Sequence, residues 1–302
     1  MAAHRRVEVS RPDKELFPGD GTHAAITKAD FVDYHRAVAR WMVPHLRGRP
    51  VSMERYPDGI DGESFFHKRA PDHFPGWIAR VQVAKEDGKL TMPLCEDAAT
   101  LAYLANQAAI TLHPWLSRTD LPKHPDKLIF DLDPPGDDFD IVRWTAFELR
   151  GLLADIGLRP LVMTTGSRGL HVVLPLDRSQ TFDEVRAIAR EIADVLAGRH
   201  PDDLTTEPRK NKRHGRLYLD LQRNAYAQTG VAPYSVRARP GAPVATPLTW
   251  DELKDEAIGP RHWTVHSVPE RLEKHGDPWA APSRNRRSLR AARRRLGELF
   301  GG

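Results

Sequence analysis

The sequence predicts an α+β fold in which helices flank a mixed or antiparallel central sheet, with a smaller N-terminal lobe ahead of it. Two observations support this fold class. After about residue 127, short apolar runs typical of strands alternate with segments whose apolar residues recur at helical spacing. Between Arg49 and Pro93 the chain is rich in proline, glycine and aromatic residues, which indicates short strands and loops in the N-terminal lobe.

Two helices are predicted in the N-terminal lobe. Thr27–Asp30 has the form of a capping box, and Phe31 and Tyr34 begin a series of apolar residues at helical spacing, which predicts a helix to about Leu46. The alanine-rich segment from Asp97 to Leu112 predicts a second helix.

The central sheet is predicted from three strand patterns. From Leu128 to Pro134 apolar and acidic residues alternate, which places Asp131 and Asp133 on the same face of a strand. The other predicted elements are a helix from about Phe139 to Ile156, strands at Leu161–Thr164 and Leu170–Leu176, a helix from Thr181 to about Ala197, and a core strand at Arg216–Gln222.

Composition excludes several classes of protein. No apolar run approaches the roughly 18 residues of a membrane span, and the N-terminus lacks the apolar core of a secretory signal. We therefore expect a cytoplasmic, nucleoid-associated protein without a membrane partner. Cys95 is the only cysteine, which excludes an internal disulfide and a multi-cysteine zinc site.

The C-terminal residues are strongly basic. Ser283 to Arg295 contains seven arginines and no acidic residue, with Leu289 and Leu296 placed for one side of a helix. We divide the chain into a catalytic domain at 1–282 and a basic helical tail at 283–302. The tail is either a nucleic-acid-binding arm or a solvated helix face.

Three aspartates are candidate catalytic residues. Asp131 and Asp133 share one strand face and Asp220 lies in a second strand, so three carboxylates can converge. Oxygen ligands of this kind bind two divalent cations in phosphoryl transfer. The alternative is that each aspartate ends a strand or caps a turn, but a carboxylate inside the apolar run around Asp220 needs a cation beside it.

The segment from Thr165 to His171 is a candidate triphosphate cradle. Its glycines permit close approach of the backbone to phosphate, while Ser167, Arg168 and His171 supply donors. An ordinary hairpin loop and a hydrogen-bonded core histidine are the alternatives. A basic run at Glu207–Arg216, followed by Arg223 and Arg237, also suits phosphate, although a solvated basic loop gives the same pattern.

These segments together resemble a known family. The D-L-D-P strand, the T-G-S-R-G-L-H turn and the L-Y-L-D-L strand resemble the motifs of the archaeo-eukaryotic primase-polymerase superfamily. Further motifs resemble the polymerase domain of bacterial LigD-type end-joining ligases over about residues 8–275. They are Asp13–Pro18, Lys28, Arg55–Gly59, Phe65–Lys68, His113–Trp115 and Ala232–Arg237.

The resemblance implies a template-dependent DNA/RNA nucleotidyltransferase that extends a primer 3′-hydroxyl with NTPs or dNTPs, ribonucleotides being preferred, across short gaps or breaks in DNA. Asp131, Asp133 and Asp220 would bind two Mn²⁺ or Mg²⁺ ions. The nucleotide would lie among Thr165, Ser167, Arg168, His171, His113, Arg213, Arg223 and Arg237. Thr165 and Arg168 stand where these modules often have serine and lysine, which keeps a hydroxyl and a cation.

The resemblance also implies DNA contacts. Lys14 and Lys28 would hold the 5′-phosphate of gapped or broken DNA, Phe65 and Phe66 would stack on template bases, and Lys68 would lie on the DNA surface. Core packing is the alternative for the two phenylalanines.

Several functions stay open at this point. Tyr56 stands where an adenylating ligase motif needs lysine, so we expect a separate ATP-dependent DNA ligase to seal the product, and the chain is similar to stand-alone Prim-PolC proteins of excision repair. Gap filling is favoured. The alternatives are an end-joining polymerase acting with Ku, a DNA primase, a nuclease and a non-catalytic DNA-end binder.

Overall fold

The computed structural model describes residues 5–85, 88–280 and 286–300. The α-helices are α1 (Lys28–Leu46), α2 (Ala98–Asn106), α3 (Asp140–Asp155), α4 (Phe182–Arg199), α5 (Ser267–His275) and α6 (Leu289–Phe300). The strands are β1 (Glu15–Phe17), β2 (Ile26–Thr27), β3 (Val51–Arg55), β4 (Phe65–His67), β5 (Arg80–Lys85), β6 (Gly88–Pro93), β7 (Ala109–Pro114), β8 (Lys127–Asp133), β9 (Leu161–Thr164), β10 (Leu170–Pro175), β11 (Leu204–Thr205), β12 (Leu217–Asp220) and β13 (Pro247–Leu248).

The chain forms two compact units. The first runs to Trp115 and also takes up Val231–Thr246 and Arg261–Asp277, so it is not continuous in sequence. The second comprises Leu116–Gly230, Pro247–Pro260 and the described residues from Pro278 onward. The predicted boundary between residues 282 and 283 lies outside the described residues and stays a prediction.

The first unit is built on α1 and three small sheets. Thr27 and Asp30 form the predicted capping box, and α1 ends at Leu46 as expected. Strands β4, β3 and β7 form an antiparallel sheet in that order, and β1–β2 and β5–β6 form two-stranded sheets. Tyr34 of α1 donates a 2.8 Å hydrogen bond to the carbonyl oxygen of Tyr234, which ties a later segment of the chain to this helix.

The predicted helix from Asp97 to Leu112 is too long. Helix α2 ends at Asn106, and Ala108 adopts a φ of 54°, a left-handed conformation that ends a helix of L-residues. The next residues then form β7, where Ile110 and Leu112 are completely or almost completely buried. Pairing with β3 therefore outweighs the helix propensity of the preceding alanines.

The second unit contains a six-stranded sheet in the order β11-β12-β8-β10-β9-β13. Strand β11 is parallel to β12, and the other neighbours are antiparallel, which confirms the α+β fold with a mixed sheet. Strand β8 buries Phe130 and Leu132 completely, and these residues alternate with Asp131 and Asp133 as predicted. Helices α3 and α4 begin and end within two residues of their predicted limits.

Within the described ranges, none of the helices has both the length and the apolar character that a membrane crossing requires.

Candidate functional site

A row of polar side chains crosses three neighbouring strands of the six-stranded sheet. Asp220 of β12 and His171 of β10 are both register partners of Asp131 on the intervening strand β8. Cross-strand partners project from the same face of a sheet, so the pairing brings two of the predicted carboxylates and the predicted histidine together. The Nε2 atom of His171 lies 3.6 Å from a carboxylate oxygen of Asp131.

Arginines surround the two carboxylates of β8. Arg213 donates a 3.0 Å hydrogen bond to Asp133, and its guanidinium lies 3.9 Å from the ring centre of Tyr218. A guanidinium nitrogen of Arg168 lies 3.5 Å from Asp133. Arg223 approaches Asp131 to 3.7 Å. Three of the predicted phosphate-binding arginines thus converge on the predicted metal-binding carboxylates.

The surroundings of Asp220 disfavour the charged form of its carboxyl group. Partial burial raises its pKa, and the negative charges of Asp131 and Asp133 raise it further. A 2.7 Å hydrogen bond from the backbone N–H of Gln222 and the charge of Arg223 oppose the shift. Positive charge is therefore favoured at this position.

The donor atoms fit hard divalent cations. Three carboxylates on neighbouring strands supply the oxygen ligands that Mg²⁺ and Mn²⁺ prefer, and their mutual repulsion would be offset by such a cation. Among the described residues, no three His, Cys, Asp or Glu side chains are already arranged as a metal site. Binding would require Asp131 and Asp133 to exchange arginine contacts for a cation.

The glycine turn has structural requirements of its own. Gly166 has a φ of 65°, and a Cβ atom on Gly169 would overlap the carbonyl oxygen of Leu132 in β8. The hydroxyl of Thr165 donates to the Gly169 carbonyl at 3.0 Å and accepts from the N–H of Ser167 at 3.3 Å. The Thr165 hydroxyl is thus used inside the turn, and its expected contact with a nucleotide stays a prediction.

In the first unit, a second group of predicted residues lies on the sheet formed by β4, β3 and β7. Phe65 and Phe66 are 40% and 52% exposed, which rules out core packing as their role in this unit. The Phe66 ring centre is 5.6 Å from that of His113, and Glu54 is the register partner of Phe66. Lys68 is also exposed.

Glu54 is a residue that the sequence analysis missed. A carboxylate oxygen of Glu54 lies 3.9 Å from Nε2 of His113, and the Tyr56 hydroxyl donates to the carboxylate at 2.8 Å. These two neighbours and the charge of Arg237 hold the pKa of Glu54 at about 2, although partial burial opposes them. Its position directly before the quoted Arg55–Gly59 motif was the available signal.

A cationic cluster forms the third group of site residues. Lys28 is buried, and its ammonium donates to the carbonyl and hydroxyl oxygens of Ser10 at 2.7 and 2.9 Å. Burial, and then the charges of Arg11, Lys14 and Arg55, lower the pKa of Lys28. Four cations therefore lie close together, and Arg11, which holds a strained φ of 49°, was not predicted. Such a cluster suits a phosphate.

Comparison with known proteins identifies the family. The model of the LigD primase-polymerase domain matches residues 27–279. The chain belongs to this family. It is therefore a primase-polymerase domain of nucleotidyltransferase type, and the resemblance drawn from its motifs is confirmed.

Individual relatives agree with this assignment. The multifunctional non-homologous end joining protein LigD of Mycolicibacterium smegmatis is 36% identical over 281 residues, which cover 92% of this chain and 36% of that protein. The bifunctional LigD of Bacillus subtilis is 33% identical over 279 residues, which cover 91% of this chain and 44% of that protein. This chain spans little more than a third to under half of the length of these LigD proteins.

A solved structure matches the fold. The polymerase domain of Mycobacterium tuberculosis Ligase D, determined in complex with DNA, superposes with a TM-score of 0.85 at 35% sequence identity. The match covers 93% of this chain and 99% of that domain. The LigD polymerase fold thus extends over nearly all of the chain.

Proposed function

We propose that this LigD-type domain extends a primer 3′-hydroxyl with nucleotides, in a template-dependent manner, across short gaps or breaks in DNA. The observation that carries the proposal is the alignment of Asp220, Asp131 and His171 across β12, β8 and β10, with arginines around the carboxylates. A degradative nuclease would have no need of these arginines around the carboxylates.

Asp131, Asp133 and Asp220 would hold two divalent cations, Mn²⁺ or Mg²⁺. Such ions supply charge neutralisation and Lewis acidity to a phosphoryl transfer. Arg168, Arg213 and Arg223 would then bind the triphosphate oxygens and stabilise the charge that moves onto pyrophosphate. Since the arginines already contact the carboxylates, the same side chains can exchange one anionic partner for another.

The exposed Phe65 and Phe66 would stack on template bases, which costs them little because they are not part of a core. His113 would contact the nucleotide sugar, and Arg237 the phosphates. Lys14 and Lys28, within their cationic cluster, would bind the 5′-phosphate on the far side of a gap. This assignment leads us to infer a preference for gapped DNA that carries a 5′-phosphate. A preference for ribonucleotides is proposed from the family resemblance alone.

Two repair pathways are compatible with this activity. The names of the matching relatives favour end joining, in which Ku and a ligase would act on the same ends. Gap filling during excision repair beside a separate ATP-dependent ligase is the second candidate, because the four-cation cluster suits the recessed phosphate of a short gap.

Primer extension on a short gapped duplex in Mn²⁺ tests the proposal. Ribonucleotides are compared with deoxyribonucleotides, and a 5′-phosphate with a 5′-hydroxyl, with Asp131→Asn as the inactive control. Template-directed addition that is lost in the variant supports a polymerase. Wild-type protein that binds the gap but adds no nucleotide with Mn²⁺ or Mg²⁺ would overturn the proposal and favour a non-catalytic DNA-end binder.

The pathway is tested with the same protein on aligned overhanging ends in the presence of Ku. If Ku increases nucleotide addition more on these ends than on the gapped duplex, the result assigns end joining. The opposite ranking of the two substrates assigns gap filling.

A further inference from the structure

The C-terminal helix α6 lies beyond the segment that the family model matches. That match ends at residue 279, and α6 begins at Leu289. Between Arg286 and Glu298 the chain carries six arginines and one acidic residue. The polymerase site described above uses none of these residues.

Helix α6 is docked on the second unit by one of its sides. Leu289, Ala292 and Leu296 are buried, and α6 contacts α4. The backbone N–H of Leu289 donates a 2.8 Å hydrogen bond to the side chain of Gln180. Just before the helix, Arg287 forms a parallel bridge with Leu176 at the end of β10.

Two arginines at the flanks of this buried side are used for packing. Arg293 binds Glu191 of α4 through two nitrogens, one of them Nε at a distance of 3.0 Å. Arg295 lies against Gly157, just beyond the C-terminus of α3, where a Cβ atom would overlap its guanidinium. A cation is favourable there because the unsatisfied carbonyls of a helix C-terminus carry negative charge.

The outer side of α6 carries charge that its packing does not require. Arg290 and Arg294 are exposed and lie four residues apart, on the same side of the helix. Like charges at this spacing destabilise a helix slightly, and a cation in the first turn opposes the helix dipole. In the part of the chain that the structure describes, each has one acidic neighbour: Glu298 lies 3.9 Å from Arg294, and the charge of Arg290 reaches Glu184 of α4.

We propose that this outer face, defined by Arg290 and Arg294, binds the phosphate backbone of duplex DNA. The two residues are about 6 Å apart along the helix axis, so both can reach phosphates of one duplex, in which each strand carries a charge for about every 3.4 Å of the duplex axis. Guanidinium groups bind phosphate through paired hydrogen bonds. This surface would hold the protein on intact double-stranded DNA, away from any gap or end. The proposal does not depend on the proposed polymerase activity.

The test measures binding to a short duplex closed by hairpin loops at both ends, which offers neither a gap nor a 5′-phosphate. Arg290→Gln/Arg294→Gln should weaken binding. The plot of log affinity against log salt should also become shallower, its slope falling in magnitude by about 1.8, since two phosphate contacts are lost. Arg290→Lys/Arg294→Lys should keep the wild-type slope because the charge remains. Unchanged thermal melting would show that α6 stays docked.

Arg36→Gln/Arg40→Gln on α1 is the matched control, because it removes the same charge at the same helical spacing. If the α1 variant makes the salt dependence shallower by as much as the α6 variant does, the effect is one of net charge alone and the proposal is overturned. Wild-type duplex binding by the α6 variant, together with lost binding to polyglutamate, would assign the face to an acidic protein partner instead. Primer extension at saturating gapped DNA should be the same for all these variants, and a loss there would reveal disturbance of the polymerase site.

Discussion

Arg213 donates a 3.0 Å hydrogen bond to Asp133, while its guanidinium covers the ring of Tyr218. The arginine therefore occupies part of the carboxylate that the proposed mechanism assigns to a divalent cation. Removal of the Arg213 side chain should therefore strengthen the binding of the divalent cation and weaken the binding of the nucleotide.

Arg213→Gln should increase the affinity for Mn²⁺, because Asp133 no longer has to release an arginine. The same change should raise the KM for nucleotide about tenfold, which corresponds to the loss of one charge-assisted hydrogen bond. Mn²⁺ binding is measured by thermal shift and KM by primer extension. Arg216→Gln is the control, because Arg216 bonds only backbone carbonyls in the contacts described for it. Equal changes in both variants would contradict a specific competition at Asp133.

The cationic cluster predicts how the enzyme distinguishes phosphorylated gaps. Lys14 makes a 2.6 Å ion pair with the exposed Asp58. Lys14→Gln should reduce the preference for a 5′-phosphate about tenfold through loss of a charge-assisted contact. Asp58→Asn should increase the preference because it releases the ammonium. Affinities for gapped duplexes with and without the phosphate provide the measurement, and a preference unaffected by both changes would place the phosphate elsewhere.

Glu54 predicts a pH-dependent contribution to stability. Its pKa is lowered from 4.5 to about 2, so the folded state favours the ionised carboxylate. The stabilisation is complete above pH 4.5 and is lost as the pH falls towards 2. Glu54→Gln should therefore lower the free energy of unfolding by about 1 kcal/mol at neutral pH, and the difference from wild type should shrink in acid.

Urea unfolding of both proteins across this pH range measures the effect of Glu54. A difference that stays constant with pH would mean that the carboxylate acts through its shape and not through its charge. His113→Gln should remove most of the pH dependence, because His113 is the main cause of the shift.

Gly169 predicts a packing requirement at the glycine turn. Gly169→Ala places a Cβ atom onto the Leu132 carbonyl oxygen, so the turn must move away from β8. We expect a loss of about 3 kcal/mol in the free energy of unfolding. Gly151→Ala in α3 is the control, since its Cβ would meet open space and helix propensity should stabilise the protein by up to about 1 kcal/mol. Calorimetry of both variants decides whether the turn tolerates the added carbon.

The sequence by itself determined the elements whose signals are local. Alternation placed Asp131 and Asp133 on one face of β8, and the capping box at Thr27 set the start of α1. Thr181 and Glu184 have the same pattern in the sequence and form a capping box at the start of α4. The motifs around these elements were sufficient to recognise the family, because each motif is a short run of neighbouring residues.

Only the tertiary structure decided the contacts that depend on register and long-range pairing. A shift of β12 by one residue would turn Asp220 to the opposite face, and nothing in its own sequence specifies the partner Asp131. Three other features also depend on contacts between distant segments of the chain. They are the early end of α2, the Arg213–Asp133 contact and the position of Glu54 beside His113. Local patterns fix which way a side chain points along its own strand, whereas sheet pairing and packing fix which side chains meet.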